Sequence, residues 1–228
     1  MSEEVRMREY SPLKNYPSPK EPRHVGSRTI QNKIIASYRD ERYYDGDRCN
    51  GYGGFKYDGR WKEVVQAMVD EYHVNEASAV LQMGCEKGFL LHDFHERFPS
   101  MKVKGAEMSD YAIAHAMPSL KQHIIKTTYS KLPFHNAEFD FVIAIGVIYT
   151  LTLADAISAL KEIQRVGKGK SFITLGAYDN DETRKLFTQW SVLGSTILHV
   201  NDWLEVLKHV GYTGDYAFAT AKTLHLVE

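Results

Sequence analysis

Apolar residues recur along the chain in two alternating rhythms. Short segments at 79–83, 103–107, 123–126, 139–145 and 171–175 read as strands, and 139–145, continuously apolar after Asp140, suits a parallel strand buried on both faces. Between them, apolar residues fall at three- and four-residue spacing, the period of an amphipathic helix. Val64, Val65, Met68 and Val69 mark one such helix over 61–72, and Leu90, Phe94 and Phe98 mark another after Phe89. Ser109 caps a third through Ala116, with Pro118 just beyond. Thr152 opens a fourth through Arg165, with Leu153, Ile157, Leu160 and Ile163 inward. Two more are expected at 182–193 and 202–210, the second closed by Gly211. Residues 215–227 read as extended segments with a turn near Lys222. Strands alternating with helices predict an α/β fold: a doubly wound, mostly parallel sheet with helices on both faces.

The first 61 residues break this rhythm. Segment 1–37 is polar and holds Pro12, Pro17, Pro19 and Pro22, a density that prevents a continuous helix or central strand; it is expected to be an N-terminal arm, mobile over 1–25 or wrapped on the core. Segment 38–61 alternates glycines with aromatics and charges. It is too aromatic for a plain linker, and it suits either a loop packed on the core or a lid over a ligand. As a lid, its expected contacts are Tyr57, Arg60 and Trp61. The domain proper is then 62–228.

Composition narrows the classes. The chain has 228 residues, 43% of them hydrophobic, and a net charge of −1. That suits one globular domain with an extension and argues against a broad nucleic-acid surface. No apolar run approaches the ~20 residues needed to cross a bilayer, and the opening Met-Ser-Glu-Glu-Val-Arg is not a signal peptide. Cys49 and Cys85 make no disulfide framework, so a cytoplasmic location is expected. No metal-ligand spacing stands out.

The chemistry converges on one turn. The strand at 79–83 ends in Gly84-Cys85-Glu86-Lys87-Gly88 and passes straight into a helix. Such a turn brings backbone close to a ligand, and the helix start offers free N–H groups. Glu107 closes the next strand, about 20 residues on, where a carboxylate can accept both hydroxyls of a ribose.

These motifs resemble those of the class I S-adenosylmethionine-dependent methyltransferases. Val80-Leu-Gln-Met-Gly-Cys-Glu-Lys-Gly looks like their first motif, Glu107 like their ribose-binding acid, and Leu132-Pro133-Phe134 with 139–144 like their fourth-strand signature. The helix and turn at 160–170 resemble those before their fifth strand. The run from Gly51 to Trp61 is similar to a subgroup linked to surface polysaccharide or small-molecule modification. The resemblance implies a seven-stranded sheet with one antiparallel strand near the C-terminus, and S-adenosyl-L-methionine as cofactor. By position it implies that Gly84, Cys85, Glu86 and Gly88 line the methionine half and that Glu107 holds the ribose with Met108 beside the adenine. Thr128, Tyr129 and Ser130 would flank the adenine edge, and Ala144, Ile145 and Gly146 would face the amine and the transferable methyl. Several positions depart from the family pattern, among them Tyr149 and Thr150, which stand where many relatives have Glu-His. Gln82 and Thr128 replace usual acids. Glu86 replaces a glycine and sets a negative charge near the cofactor carboxylate, a repulsion that Lys87 or Arg60 could offset.

Methyl transfer needs a general base only when the nucleophile is a hydroxyl or a protonated amine. Candidates are His135, Tyr149, Asp179 and His199, with Tyr178 close by; Asp179 equally suits a helix cap with Asn180. The expected activity is methyl transfer to a small-molecule acceptor, as an O-methyltransferase on a sugar or related metabolite. A protein or lipid-like acceptor, a degenerate scaffold and a homodimer stay open; no nucleic-acid or membrane partner is expected.

Overall fold

The computed structural model describes residues 7–228 apart from Lys20 and Ser27. The chain begins with two short strands, β1 (Arg8–Glu9) and β2 (Arg23–His24), and two helices, α1 (Ile30–Ser37) and α2 (Glu41–Tyr44). Then come α3 (Lys62–Tyr72), β3 (Ala79–Met83), α4 (Phe89–Arg97), β4 (Lys102–Glu107), α5 (Asp110–Ala114), β5 (Ile124–Lys126) and β6 (Phe141–Ala144). The last third holds α6 (Leu153–Val166), β7 (Ser171–Tyr178), α7 (Asp181–Trp190), β8 (Leu198–His199), α8 (Val200–Val210), β9 (Asp215–Ala219) and β10 (Leu226–Val227).

The sheet order is β1-β9-β7-β6-β3-β4-β5, with β8 appended to β7. The chain fills one side outward from β3, returns to β6, and fills the other side. The switch point therefore lies between β3 and β6, where ligands sit in sheets of this kind. Side chains alternate along each strand into two apolar layers. Leu81, Met83, Val142, Ala144 and Ile173 pack under Leu160 of α6 and Trp203 of α8. Val80, Val103, Phe141 and Ile143 pack under Val64 and Met68 of α3 and Leu90 and Phe94 of α4. Trp203 is wholly buried, and its indole N–H donates to the Gly176 carbonyl at 2.9 Å.

Two expectations change, the antiparallel strand and the inward place of Leu153, and the described part of the arm packs on the core. The antiparallel strand does not form: all strand pairs among the described residues are parallel. The helix α8 carries the chain back across the sheet, so β9 joins β7 in the same direction. The chain then turns at 220–225, and β10 pairs with β2 instead of folding back. The arm is ordered where it is described. Its β1 takes the sheet edge beyond β9, Arg8 holds Asp215 with two hydrogen bonds, and Tyr10, Leu13 and Tyr16 pack on the core. The helix α1 follows the last proline of the arm and is started by a Thr29–Asn32 capping box. Leu153, expected inward, is 43% exposed because it sits in the first turn of α6, outside the buried stripe. Among the described residues no helix is long and apolar enough to cross a membrane.

Candidate cofactor and acceptor site

The turn after β3 is left-handed at three of five positions: Gly84 has φ 68°, Glu86 52° and Gly88 80°. This sharp reversal starts α4 directly at Phe89. The Gly84 N–H donates to the Ala106 carbonyl of β4 at 2.8 Å, which ties the turn to the neighbouring strand. The Cys85 side chain points into the core against Gly105, and burial pushes its thiol well up. It is a packing residue, and only its backbone lines the turn.

Glu107 stands beside that turn at the end of β4. Its carboxylate accepts backbone N–H bonds from Glu86, Met108 and Ser109, each at 2.8 Å, and the Tyr129 hydroxyl donates to it at 3.5 Å. It is 1% exposed. The cover is the segment read as a lid. Tyr44 is fully buried, and the carbonyl of Arg39 accepts from the Ser109 hydroxyl at 2.6 Å. The Arg39 guanidinium reaches Thr150 at 2.9 Å. The lid is fastened by Lys87, whose ammonium binds Asp45 at 2.6 Å and the Phe55 carbonyl at 2.9 Å; Tyr111 adds a bond to Asp45 at 2.8 Å.

A cavity of about 930 Å³ opens on the other side of the lid. Its floor is Ile145 and Gly146 at the end of β6, Thr174 of β7 and the ring of Tyr149. Lid residues Tyr43, Tyr52 and Phe55 form one wall, and Tyr16, Trp61 and Trp190 form part of another. Gly146 has φ 72° and nothing within 4 Å of where a Cβ would stand, so its backbone faces open space. The volume is at the upper end of small-molecule sites.

The expected site residues therefore divide. Gly84, Glu86, Gly88, Glu107, Met108 and Tyr129 meet at one end, and Ile145, Gly146, Tyr149 and Arg60 meet at the cavity; Ala144 lies buried just beneath. Thr128 and Ser130 are exposed beside Tyr129. Tyr57 lies elsewhere: its hydroxyl donates to Asp93 and its ring packs on Phe89 and His92 of α4. His135 is exposed in the loop leading into β6, at the opposite end of the strands from Gly146. Asp179 accepts from Thr183 and Asn180 at the start of α7, and His199 caps α8 through Nδ1. Tyr149 is thus the one general-base candidate that lines the cavity. Burial pushes its hydroxyl up to about 12, which suits a hydrogen-bond donor at neutral pH. The reading of the sequence missed Arg39, Tyr43, Tyr44 and Tyr52. The aromatic run announced the group, but not which rings turn inward.

Glu86 is handled differently from expectation. Lys87 is engaged with Asp45, and Arg60 with Asp58 and Tyr16. The partner of Glu86 is the Tyr52 hydroxyl at 2.7 Å. Burial pushes the Glu86 carboxyl up to about 8, with the Glu107 charge adding and Tyr52 and Arg39 opposing. At neutral pH it is mostly uncharged, which removes the repulsion toward a cofactor carboxylate. The unfolded chain loses this proton near 4.5 and the folded one near 8. Between those values unfolding releases a proton, so stability falls as pH rises. Thermal melts from pH 5 to 8 should show this slope, and Glu86→Gln should flatten it and melt several degrees higher at pH 8. Parallel slopes in the two proteins would refute the assignment.

Residues 80–170 match the family model described as a methyltransferase domain. No curated protein matches the chain by sequence. Among solved structures, the YcgJ protein of Bacillus subtilis is similar, with 15% identity over 64% of this chain and 66% of that one and a TM-score of 0.53. A methyltransferase-assigned protein of Bacillus halodurans C-125 matches with 15% identity over 64% of this chain and 68% of that one, TM-score 0.52. An S-adenosylmethionine-dependent methyltransferase of Aquifex aeolicus matches with 16% identity over 64% and 78%, TM-score 0.46. Residues 80–170 thus carry a methyltransferase domain, on the α/β fold shared with those Bacillus structures. The chain carries that methyltransferase domain, and its cofactor is S-adenosylmethionine.

The residues present fit that cofactor. An acid ends β4, the glycine turn lies beside it, and two buried polar atoms in this region, the Tyr44 hydroxyl and the Gln82 amide oxygen, have no partner among the described residues. Buried polar atoms without partners are uncommon, and a polar ligand is one way of completing them.

Proposed function

We propose that this methyltransferase acts on a small-molecule acceptor, as an O-methyltransferase on a sugar or related metabolite in the cytoplasm. The observation that carries this reading is the aromatic-walled cavity over Gly146 and Tyr149, next to the Glu107 end of the sheet. Flat rings with polar tips suit a compact polar acceptor. The bound cofactor supplies a methyl group activated by a sulfonium.

The protein's residues supply orientation. Glu107 takes the ribose hydroxyls, exchanging some of its present bonds for them. Glu86, uncharged and held by Tyr52, sits by the methionine carboxylate. The Gly146 backbone borders the methyl, and the Tyr149 hydroxyl donates to the acceptor and orients it. Because Glu107 is covered in this conformation, segment 36–55 lifts to admit the cofactor and closes again, excluding water.

Calorimetric titration with S-adenosylhomocysteine tests the cofactor half, with micromolar binding expected. Incubation of the protein with methyl-labelled cofactor and a panel of sugars, sugar phosphates and phenols tests the acceptor half. Label transferred to peptide or lipid fractions instead would overturn the small-molecule reading, and no cofactor binding by a folded protein would favour a scaffold.

A further inference from the structure

Part of the cavity lining is strongly basic. Arg23, Arg28 and Arg48 line it, joined by Lys14 and Lys56. The carboxylates among its lining residues are Glu9 and Asp58, and Asp58 is already bound by Arg60. The chain as a whole has net charge −1, so this wall is not a sample of its average surface.

The three arginines come from separate segments: β2, the stretch before α1, and the short helical turn at Arg48–Asn50. They crowd one another, since the Arg28 guanidinium donates to the Arg48 carbonyl at 3.4 Å. Burial and the nearby charge of Arg48 hold both Arg23 and Arg28 below the usual guanidinium range. None of the three is in an ion pair among the described residues. Like charges gathered without a counter-charge are unfavourable unless something anionic joins them.

The groups are also held in place. Arg28 donates to the Trp190 carbonyl and lies over the Trp190 ring at 5.6 Å; Arg48 donates to the Gly51 carbonyl. A guanidinium has five N–H donors in a fixed fork, so most donors of this trio remain for a ligand.

We propose that Arg23, Arg28 and Arg48 form an anion site for a phosphate group carried by the methyl acceptor. This rests on the acceptor cavity proposed above. It makes the acceptor a phosphorylated metabolite: the phosphate is gripped at the basic wall, and the rest of the molecule extends along the aromatic wall toward Gly146. Phosphate geometry matches the bidentate fork of arginine better than a neutral hydroxyl does.

The test is calorimetry on the full chain with four probes: inorganic phosphate, a hexose, the same hexose 1-phosphate, and S-adenosylhomocysteine. The expected result is that the hexose phosphate binds at least tenfold tighter than either inorganic phosphate or the free hexose. Arg28→Gln and Arg48→Gln should each weaken hexose phosphate about tenfold or more and leave S-adenosylhomocysteine within twofold. Arg28→Lys, which keeps the charge, should fall between. Arg48 is exposed, so its variant keeps the test valid if Arg28→Gln disturbs Trp190.

Equal binding of inorganic phosphate and hexose phosphate would reduce the wall to an unspecific anion site and overturn the proposal. A parallel loss of S-adenosylhomocysteine in the arginine variants would also overturn it, by assigning the arginines to the cofactor carboxylate. Failure of wild-type protein to bind S-adenosylhomocysteine while hexose phosphate still binds would strike the methyltransferase reading and leave the anion site standing.

Discussion

Glu107→Ala is expected to weaken S-adenosylhomocysteine binding by about 100-fold or more and to destabilise the fold by about 3 kcal/mol. The two effects have separate causes. Hydrogen bonds from ribose hydroxyls to a carboxylate are charge-assisted and contribute roughly 1.5–3 kcal/mol each. The stability loss comes from the backbone N–H groups of Glu86, Met108 and Ser109, which lose their acceptor, Ser109 while buried and the other two while part-buried. Glu107→Gln separates the causes. Its amide keeps one acceptor oxygen, so denaturant unfolding should show a smaller loss, while calorimetry should still show a large drop in cofactor affinity. Wild-type affinity in a folded Glu107→Gln protein would remove Glu107 from the cofactor site.

Gly84→Ala should cost about 3 kcal/mol of stability, and cofactor binding with it. A Cβ at this position would stand 1.9 Å from Cγ2 of Val147, which is itself only 4% exposed and cannot rotate away freely. The φ of 68° adds a further strain of about 1 kcal/mol. A double variant with Val147→Ala relieves the clash and leaves the backbone strain. Denaturant unfolding of the cycle should therefore return about 1–2 kcal/mol of coupling. Simple additivity would show that Val147 does not limit this site.

Periodicity made the central elements legible. Residues 79–83 are a strand as read, because a run buried on both faces has no other place to go. Helix α8 ends at Gly211 as expected, in the left-handed conformation that glycine favours. Glu107 was legible because its place depends only on strand length and the preceding turn. The edges were not. β1 and β2 are two residues each, too short for any rhythm, and they exist only because β9 and β10 offer open edges. The lid posed a different problem. Its aromatics are dense enough that burial was foreseeable, but Tyr44 goes inward and Tyr57 outward according to partners such as Asp93 on α4, far away in sequence. The protonation of Glu86 likewise depends on being covered by a segment more than thirty residues earlier, as its bond to Tyr52 shows.

The pairing of β1 with β9 has a consequence for how the molecule is made. Arg8 and Asp215 lie 207 positions apart in the chain. At a translation rate of about 5–20 residues per second, Arg8 waits roughly 10 to 40 s after its own synthesis for its partner to appear. β2, which carries Arg23, waits similarly for β10. During that interval the central strands can already condense, while the basic wall has no support. The proposed acceptor grip therefore forms only after β9 and β10 have been made, later than the central sheet.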